Sequence, residues 1–192
     1  MTSWLDYLRA RRGKNKSCPR SARLRLEVLE DRLAPAVFTV TSLGDNVDAS
    51  DGVLTLREAL EAAQANGATA DTIEFAVTGT IDIATTLPTL NNVTLEGPGA
   101  NLLTIRRVST DPLDAYRLMS VVGTSEIEGV TLANGLASGS GGAAAGGAIA
   151  ANGNITLRGV HVTGSRSPSE GGGVAVLNGN LIVIDSTFSN NS

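Results

Sequence analysis

Two stretches of this sequence decide the fold: residues 147–162 read GAIAANGNITLRGVHV, and residues 173–188 read GVAVLNGNLIVIDSTF. A shift of 26 residues lays the first on the second, so that residues 147–150 fall on residues 173–176 and apolar positions fall on apolar positions. The asparagines that coincide are Asn152 with Asn178 and Asn154 with Asn180. Self-similarity at a period of roughly 20–50 residues is typical of solenoids.

Looser copies of the repeat lie upstream. Residues 127–132 match residues 157–162 at a shift of 30, and residues 95–97 match residues 127–129 at a shift of 32. A helical repeat would need two amphipathic helices in each unit, but these units contain short β-branched runs between glycines and asparagines. The pattern therefore predicts an all-β fold, a right-handed parallel β-helix in which each repeat is one coil. The strands expected along these repeats include 127–132, 155–162 and 181–188.

Stacking assigns a side to each repeated residue, because equivalent residues of successive coils lie about 4.8 Å apart. The column expected to face inward is Leu132, Val162 and Phe188, and the column expected to face outward is Thr131, His161 and Thr187. The coincident asparagines are expected to form amide ladders that satisfy backbone groups of the turns. Glu128 should lie over Arg158 as an exposed ion pair worth under about 1 kcal/mol.

The chain divides into three segments. Residues 1–36 form a basic leader that is either disordered or an export element, residues 37–71 hold a strand and a capping helix, and residues 72–192 form the coils. Residues 1–32 hold nine of the 15 Lys and Arg against four acidic residues, so the remainder is acidic, with 6 basic and 15 acidic residues. An acidic body with 3% aromatic residues argues against binding to nucleic acid.

One helix is expected at residues 56–65. Thr55 and Glu58 form the Ser/Thr-x-x-Glu pattern of a capping box, and Gly67 stands where a helix commonly ends. No apolar run is long enough for a transmembrane helix. A single cysteine, Cys18, and a single histidine, His161, exclude a disulfide framework and zinc sites built from several cysteines or histidines.

Three motifs resemble those of bacterial surface proteins. Residues 29–36, LEDRLAPA, are similar to a segment near the start of large extracellular proteins of planctomycete bacteria. Residues 52–60, GVLTLREAL, resemble the CSLREA motif that precedes right-handed parallel β-helix repeats, with Leu54 in place of its cysteine. The GGAI at 146–149 and the FSNN at 188–191 are similar to repeats of chlamydial polymorphic outer-membrane proteins. These resemblances imply a pectin-lyase-like fold and an extracellular or cell-surface location.

An enzyme on such a fold would act on polysaccharide, and hydrolysis needs two carboxylates that flank the scissile bond. Glu96 and Glu128 are the catalytic candidates because they share a repeat position, which Arg158 then occupies in the next coil. Glu96 and Glu128 are equally well explained as ordinary solvated charges on the protein surface. We therefore expect a non-catalytic adhesin-like or structural module. The alternative is a polysaccharide lyase or glycoside hydrolase, and the third hypothesis is a purely structural stalk segment.

Candidate binding residues for polysaccharide or for a cell-surface protein lie on the outward face of the coils: Thr131, His161, Thr187 and Arg158. The cations that would bracket an anionic glycan are Arg106, Arg107 and Arg117. No cofactor is predicted other than calcium, for which Asp45, Asp48 and Asp51 are the candidates, although their spacing fits a solvated turn better than a calcium loop. Because no closing cap follows Ser192, we expect either a piece of a longer protein or end-to-end association.

Overall fold

Short strands stacked in parallel make up most of the protein in the computed structural model, which describes residues 34–67, 70–109, 111 and 113–192. Most of the predicted leader lies outside the described residues. In chain order the elements are β1 (Val37–Val40), α1 (Leu56–Ala65), β2 (Asp71–Phe75), β3 (Gly79–Ile83), β4 (Leu90–Asn91), β5 (Val93–Glu96), β6 (Leu103–Arg107), β7 (Met119–Glu128), β8 (Thr131–Ala133), a 3₁₀ turn (Gly141–Ala144), β9 (Ile149–Arg158), β10 (His161–Thr163), β11 (Val174–Asn178), β12 (Leu181–Ile184) and β13 (Thr187–Ser189).

These strands form two parallel sheets, and every coil from β2 onward contributes to both. The eight-stranded sheet runs β1-β2-β5-β7-β9-β11, with β4 paired to β7 and β12 paired to β9. The five-stranded sheet runs β3-β6-β8-β10-β13. The predicted parallel β-helix with one short N-terminal helix is therefore confirmed.

Aliphatic side chains stacked between the sheets form the core. In the five-stranded sheet Ile105, Leu132 and Val162 are in register and have no exposed surface. Full burial of each such side chain contributes about 1.5–3 kcal/mol. Phe188 continues this column but is 43% exposed, because it lies in the last strand of the stack. Other apolar residues of that coil are also exposed, and end-to-end association through them stays a prediction.

Each predicted strand that runs through a repeat is broken by a corner. Gly129, Gly159 and Asp185 occupy equivalent positions with φ of 60°, 58° and 48°, where the chain leaves the eight-stranded sheet for the five-stranded one. Left-handed backbone of this kind suits glycine and is tolerated by aspartate. Residues 127–132, 155–162 and 181–188 are therefore two strands each, and the prediction of single strands is wrong.

The uniform shift of 26 residues is also wrong for part of the repeat. Val174 pairs with Ile149 and Val176 pairs with Ala151, a shift of 25, whereas Asn178 pairs with Asn152. The register changes between Val176 and Asn178, so Leu177 is the extra residue of a β-bulge. Residues 173–176 are therefore displaced by one position from the predicted alignment.

Helix α1 packs against β1, β2 and β4 at the first end of the stack. Its capping box is present: Thr55 Oγ1 accepts a hydrogen bond from the Glu58 backbone N–H at 3.2 Å, and Glu58 Oε2 accepts one from the Thr55 N–H at 2.9 Å. Leu56, Leu60 and Ala63 are buried in the common core. Within the described ranges, no helix has both the length and the apolar character that crossing a membrane requires.

Candidate functional site

A ladder of polar residues runs along the outer face of the five-stranded sheet. Its members in register are Thr80, Thr104, Thr131, His161 and Thr187. The structure thus brings the three predicted outward residues together and adds two threonines from earlier coils. The sequence comparison missed these two because the earliest copy that it recognised, residues 95–97, includes neither of them.

Thr131 departs from the prediction that it is exposed. It is 9% exposed, and its hydroxyl donates a hydrogen bond of 2.6 Å to the carbonyl oxygen of Ala100 in a loop that covers it. By contrast, the hydroxyls of Thr80, Thr104 and Thr187 form no hydrogen bond with the residues that the structure describes. The ladder therefore offers free hydroxyls on both sides of one occupied position.

His161 belongs to a short polar chain at the last coils of this face. Its Nε2 lies 2.8 Å from Ser189 Oγ, and Ser189 Oγ donates to Thr163 Oγ1 at 3.0 Å. Ser189 and Thr163 are in register in adjacent strands. The histidine is therefore half-buried and hydrogen-bonded to its neighbour on the adjacent strand.

Beside this face lies a groove of about 640 Å³, where the chain turns out of the five-stranded sheet. Arg106 and Arg107 line it from the end of β6, and Arg166 lines it from the turn after β10. Asn134 and Gly164, which follow β8 and β10, form its floor with their neighbours. Of the arginines expected to bracket an anionic glycan, Arg117 does not line the groove, and Arg166 takes its place.

The first two arginines are held by different partners. Arg106 Nε lies 2.6 Å from Asp82 Oδ1, which pairs the two exposed side chains across adjacent strands. This hydrogen bond holds the pKa of the Asp82 carboxyl below its ordinary value. Arg107 is buried, and its guanidinium donates to the carbonyl oxygens of Asn134 and Asp114 at 3.0 and 3.1 Å.

The catalytic candidates lie on the other sheet. Glu96 and Glu128 are in register on β5 and β7, and Arg158 follows them on β9. Arg158 Nε is 3.9 Å from Glu128 Oε2 but only 3.1 Å from Glu126 Oε1, so its closer partner is a residue that the sequence comparison did not single out. Two carboxylates one coil apart fall near the spacing that retaining glycosidases use, about 5–5.5 Å.

The candidate calcium ligands each have a separate partner. Asp45 accepts hydrogen bonds of 2.9 Å from Arg57 Nε and Nη2, which fastens the turn to helix α1. Asp48 accepts from Ser50, and the hydroxyl and backbone N–H of Ser50 lower the pKa of that carboxyl. Asp51 accepts from the Val53 N–H. Nowhere in the described part of the chain do three or more His, Cys, Asp or Glu side chains meet in an arrangement that could hold a metal ion.

The asparagine ladders form on the eight-stranded side. Asn178 Nδ2 donates to Asn152 Oδ1 at 2.8 Å, and Asn154 Oδ1 accepts from the Asn180 backbone N–H at 3.0 Å. These amides join successive coils by hydrogen bonds, and they belong neither to the groove nor to the polar ladder.

Comparisons with protein-family models, with curated proteins and with solved structures gave no match to this chain. The resemblances of residues 29–36 and 52–60 to motifs of bacterial surface proteins therefore stay predictions.

Proposed function

We propose that the chain is an exported, adhesin-like β-helix module that binds polysaccharide on the outer face of its five-stranded sheet, without cleaving it. One observation carries this proposal: the polar ladder of Thr80, Thr104, Thr131, His161 and Thr187 adjoins a groove of about 640 Å³. The face joins an extended polar surface to a concave site, and a glycan chain can contact both at once.

The hydroxyls on this face are suited to sugars because they donate and accept hydrogen bonds from fixed positions. Thr80 and Thr104 are in register on adjacent strands, about 4.8 Å apart, and the stacked coils hold their backbones at this spacing before a ligand binds. With 3% aromatic residues the chain has little surface on which sugar rings can stack. We therefore expect an affinity for a single short glycan in the millimolar range, with multivalent polysaccharide binding more tightly.

Glycoside hydrolysis is the second candidate, because the register places Glu96 directly beside Glu128. Against this role, Arg158 pairs with Glu128 and with Glu126, as in an ordinary surface ion-pair network. Glu96 is exposed on the face away from the groove-bearing sheet. Binding and cleavage would therefore occur on different faces of the coil, which variants can separate.

Export rests on the resemblance of residues 29–36 and 52–60 to segments of bacterial surface proteins. We expect the protein on the cell surface or outside the cell. Treating intact cells with an added protease tests this: loss of the protein while a cytoplasmic marker survives supports export, and protection of both contradicts it.

Co-sedimentation with a panel of insoluble plant, algal and bacterial polysaccharides tests binding, using Thr104→Val and the matched control Thr94→Val. Both threonines are half-buried outward residues, one on each sheet. We expect Thr104→Val to lower the bound fraction severalfold, because it removes a free hydroxyl from the ladder, and Thr94→Val to leave it unchanged. If both variants bind like the wild type, or if no polysaccharide binds, the proposed face is wrong.

A further inference from the structure

The groove beside the polar ladder concentrates positive charge on an otherwise acidic body. Residues 33–192 contain six arginines and no lysine against 15 acidic residues, yet three of the six arginines line this groove: Arg106, Arg107 and Arg166. Arg106 and Arg107 are consecutive residues at the end of β6, whereas Arg166 comes from a later coil and bridges to Leu136 on the coil between them.

Two of these charges have no counter-charge. Asp82 pairs with Arg106. Among the described residues, no carboxylate lies within ion-pair distance of Arg107, and the Arg166 side chain forms neither an ion pair nor a hydrogen bond. Arg166 is also exposed, so it is free to reach a ligand. Among the described residues, Arg107 and Arg166 therefore bring two positive charges to the groove without an ion-pair partner.

Arg107 is fixed in place before any ligand arrives. Its Nε and Nη1 donate to backbone carbonyls, and its guanidinium carbon lies 5.6 Å from the centroid of the Tyr116 ring. Tyr116 is itself held by a 2.8 Å hydrogen bond to the Ile83 carbonyl. The Nη2 of Arg107 forms no hydrogen bond with the described residues, and the side chain lines the groove with 8% of the residue exposed. A preorganised, partly desolvated guanidinium binds oxyanions more strongly than a mobile surface arginine does.

We propose that this groove binds an acidic oligosaccharide that presents two negatively charged groups, one to Arg107 and one to Arg166. The inference rests on the proposed glycan-binding function and names its ligand class. Carboxylates and sulfate esters share the required chemistry, since the negatively charged oxygens of both accept charge-assisted hydrogen bonds from a guanidinium. A neutral glycan would leave both cations unmatched.

Isothermal titration of the full chain tests the ligand class with four probes: a sulfated oligosaccharide, an oligouronate, a neutral oligosaccharide and a single-stranded oligonucleotide of equal charge. We expect one or both acidic sugars to bind at least tenfold more tightly than the neutral sugar and the oligonucleotide. The sulfated sugar and the oligouronate distinguish the two sources of negative charge. Equal binding of the oligonucleotide would show unspecific attraction and overturn the proposal.

Variants locate the site. Arg166→Gln should weaken binding of the acidic sugar about tenfold, the usual effect of losing a charged hydrogen-bond partner. Arg166→Lys, which keeps the charge but loses the fork, should weaken it less. Val47→Glu is the matched control, since it makes the same change in net charge at an exposed residue outside the groove and should leave affinity unchanged. Equal losses in Arg166→Gln and Val47→Glu would contradict the assignment.

Backbone amide signals give an independent readout of position. Gly135 and Gly164 line the groove. At a concentration of acidic sugar that saturates the wild type, their NMR signals should shift in the wild type but not in the Arg166→Gln variant. If polysaccharide binding is unaffected by Arg166→Gln and needs no charge on the sugar, this inference fails while the proposed function survives. If no glycan binds at all, the proposed function itself fails.

Discussion

Replacing Glu96 by arginine is expected to stabilise the protein, because Glu96 lies between two other glutamates in one column of stacked side chains. Glu74 precedes it on β2 and Glu128 follows it on β7, each in register. Two unit charges about 4.8 Å apart in water repel by about 0.9 kcal/mol, and splaying of exposed side chains reduces this to about 0.4 kcal/mol. Arginine converts both repulsions into attractions.

The expected gain in the free energy of unfolding is about 1 kcal/mol, after the cost of ordering the arginine side chain. For a protein of this size that gain raises the melting temperature by about 2–4 °C. Because Glu96 is exposed, salt screens the interaction, so the gain should shrink by half or more between 20 mM and 1 M sodium chloride.

Urea unfolding followed by circular dichroism at both salt concentrations measures this gain. The control is Glu61→Arg, an exposed residue of helix α1, which makes the same change in net charge outside the column. Equal stability of the Glu96→Arg and Glu61→Arg variants at low salt would refute the reasoning, because it would show that the glutamates of the column do not interact.

Three further predictions concern the core, the helix cap and the close contact between coils. Leu132→Ala should lower the free energy of unfolding by about 2–5 kcal/mol, while Leu113→Ala, at a 93% exposed residue, should change it by less than about 0.5 kcal/mol in urea unfolding. Hydrogen bonds from the Thr55 and Asp48 backbones lower the pKa of Glu58, so its contribution is present at neutral pH and lost as the pH falls below about 4.5. Glu58→Gln should therefore flatten the acid side of a melting-temperature profile, and an unchanged acid slope would contradict this. Gly153→Ala should cost about 1–3 kcal/mol or prevent folding, because its Cβ would overlap the backbone of the adjacent coil, and wild-type stability in urea would contradict the packing.

The sequence predicts the local features of this fold well because their causes are local. A threonine followed three residues later by a glutamate satisfies the first amides of a helix wherever it occurs, and helix α1 begins and ends as that pattern predicts. The repeat likewise predicts which residues stack, since matching segments align in register although successive coils differ in length.

The errors arise where one residue departs from the repeat. The extra Leu177 shifts the register of β11 by one, and a shift of this kind leaves the amino-acid pattern nearly unchanged. The corner at Asp185 is equivalent to glycines in earlier coils, and aspartate gives no clear sign of left-handed backbone. The covered Thr131 was predicted to be exposed because the loop that covers it is not part of the repeat.

The arginine groove is predicted only in part, because the sequence singles out Arg106 and Arg107 but names Arg117 where the structure has Arg166. Repeat analysis finds columns of equivalent residues, but the equivalent of Arg106 on β8 is Ala133, and on β10 it is Thr163. Arg166 enters the groove from a turn rather than from a strand. Arg166 lies near these two consecutive arginines only because the turns of neighbouring coils lie side by side.

The most direct test of the account is a single incubation of the full chain with the polysaccharide that it binds best, in which bound protein and newly formed chain ends are both quantified. The account predicts saturable binding with no new reducing ends and no unsaturated products. Release of new chain ends that disappears in the Glu96→Gln variant would contradict it and would make the protein a glycoside hydrolase acting from its eight-stranded sheet.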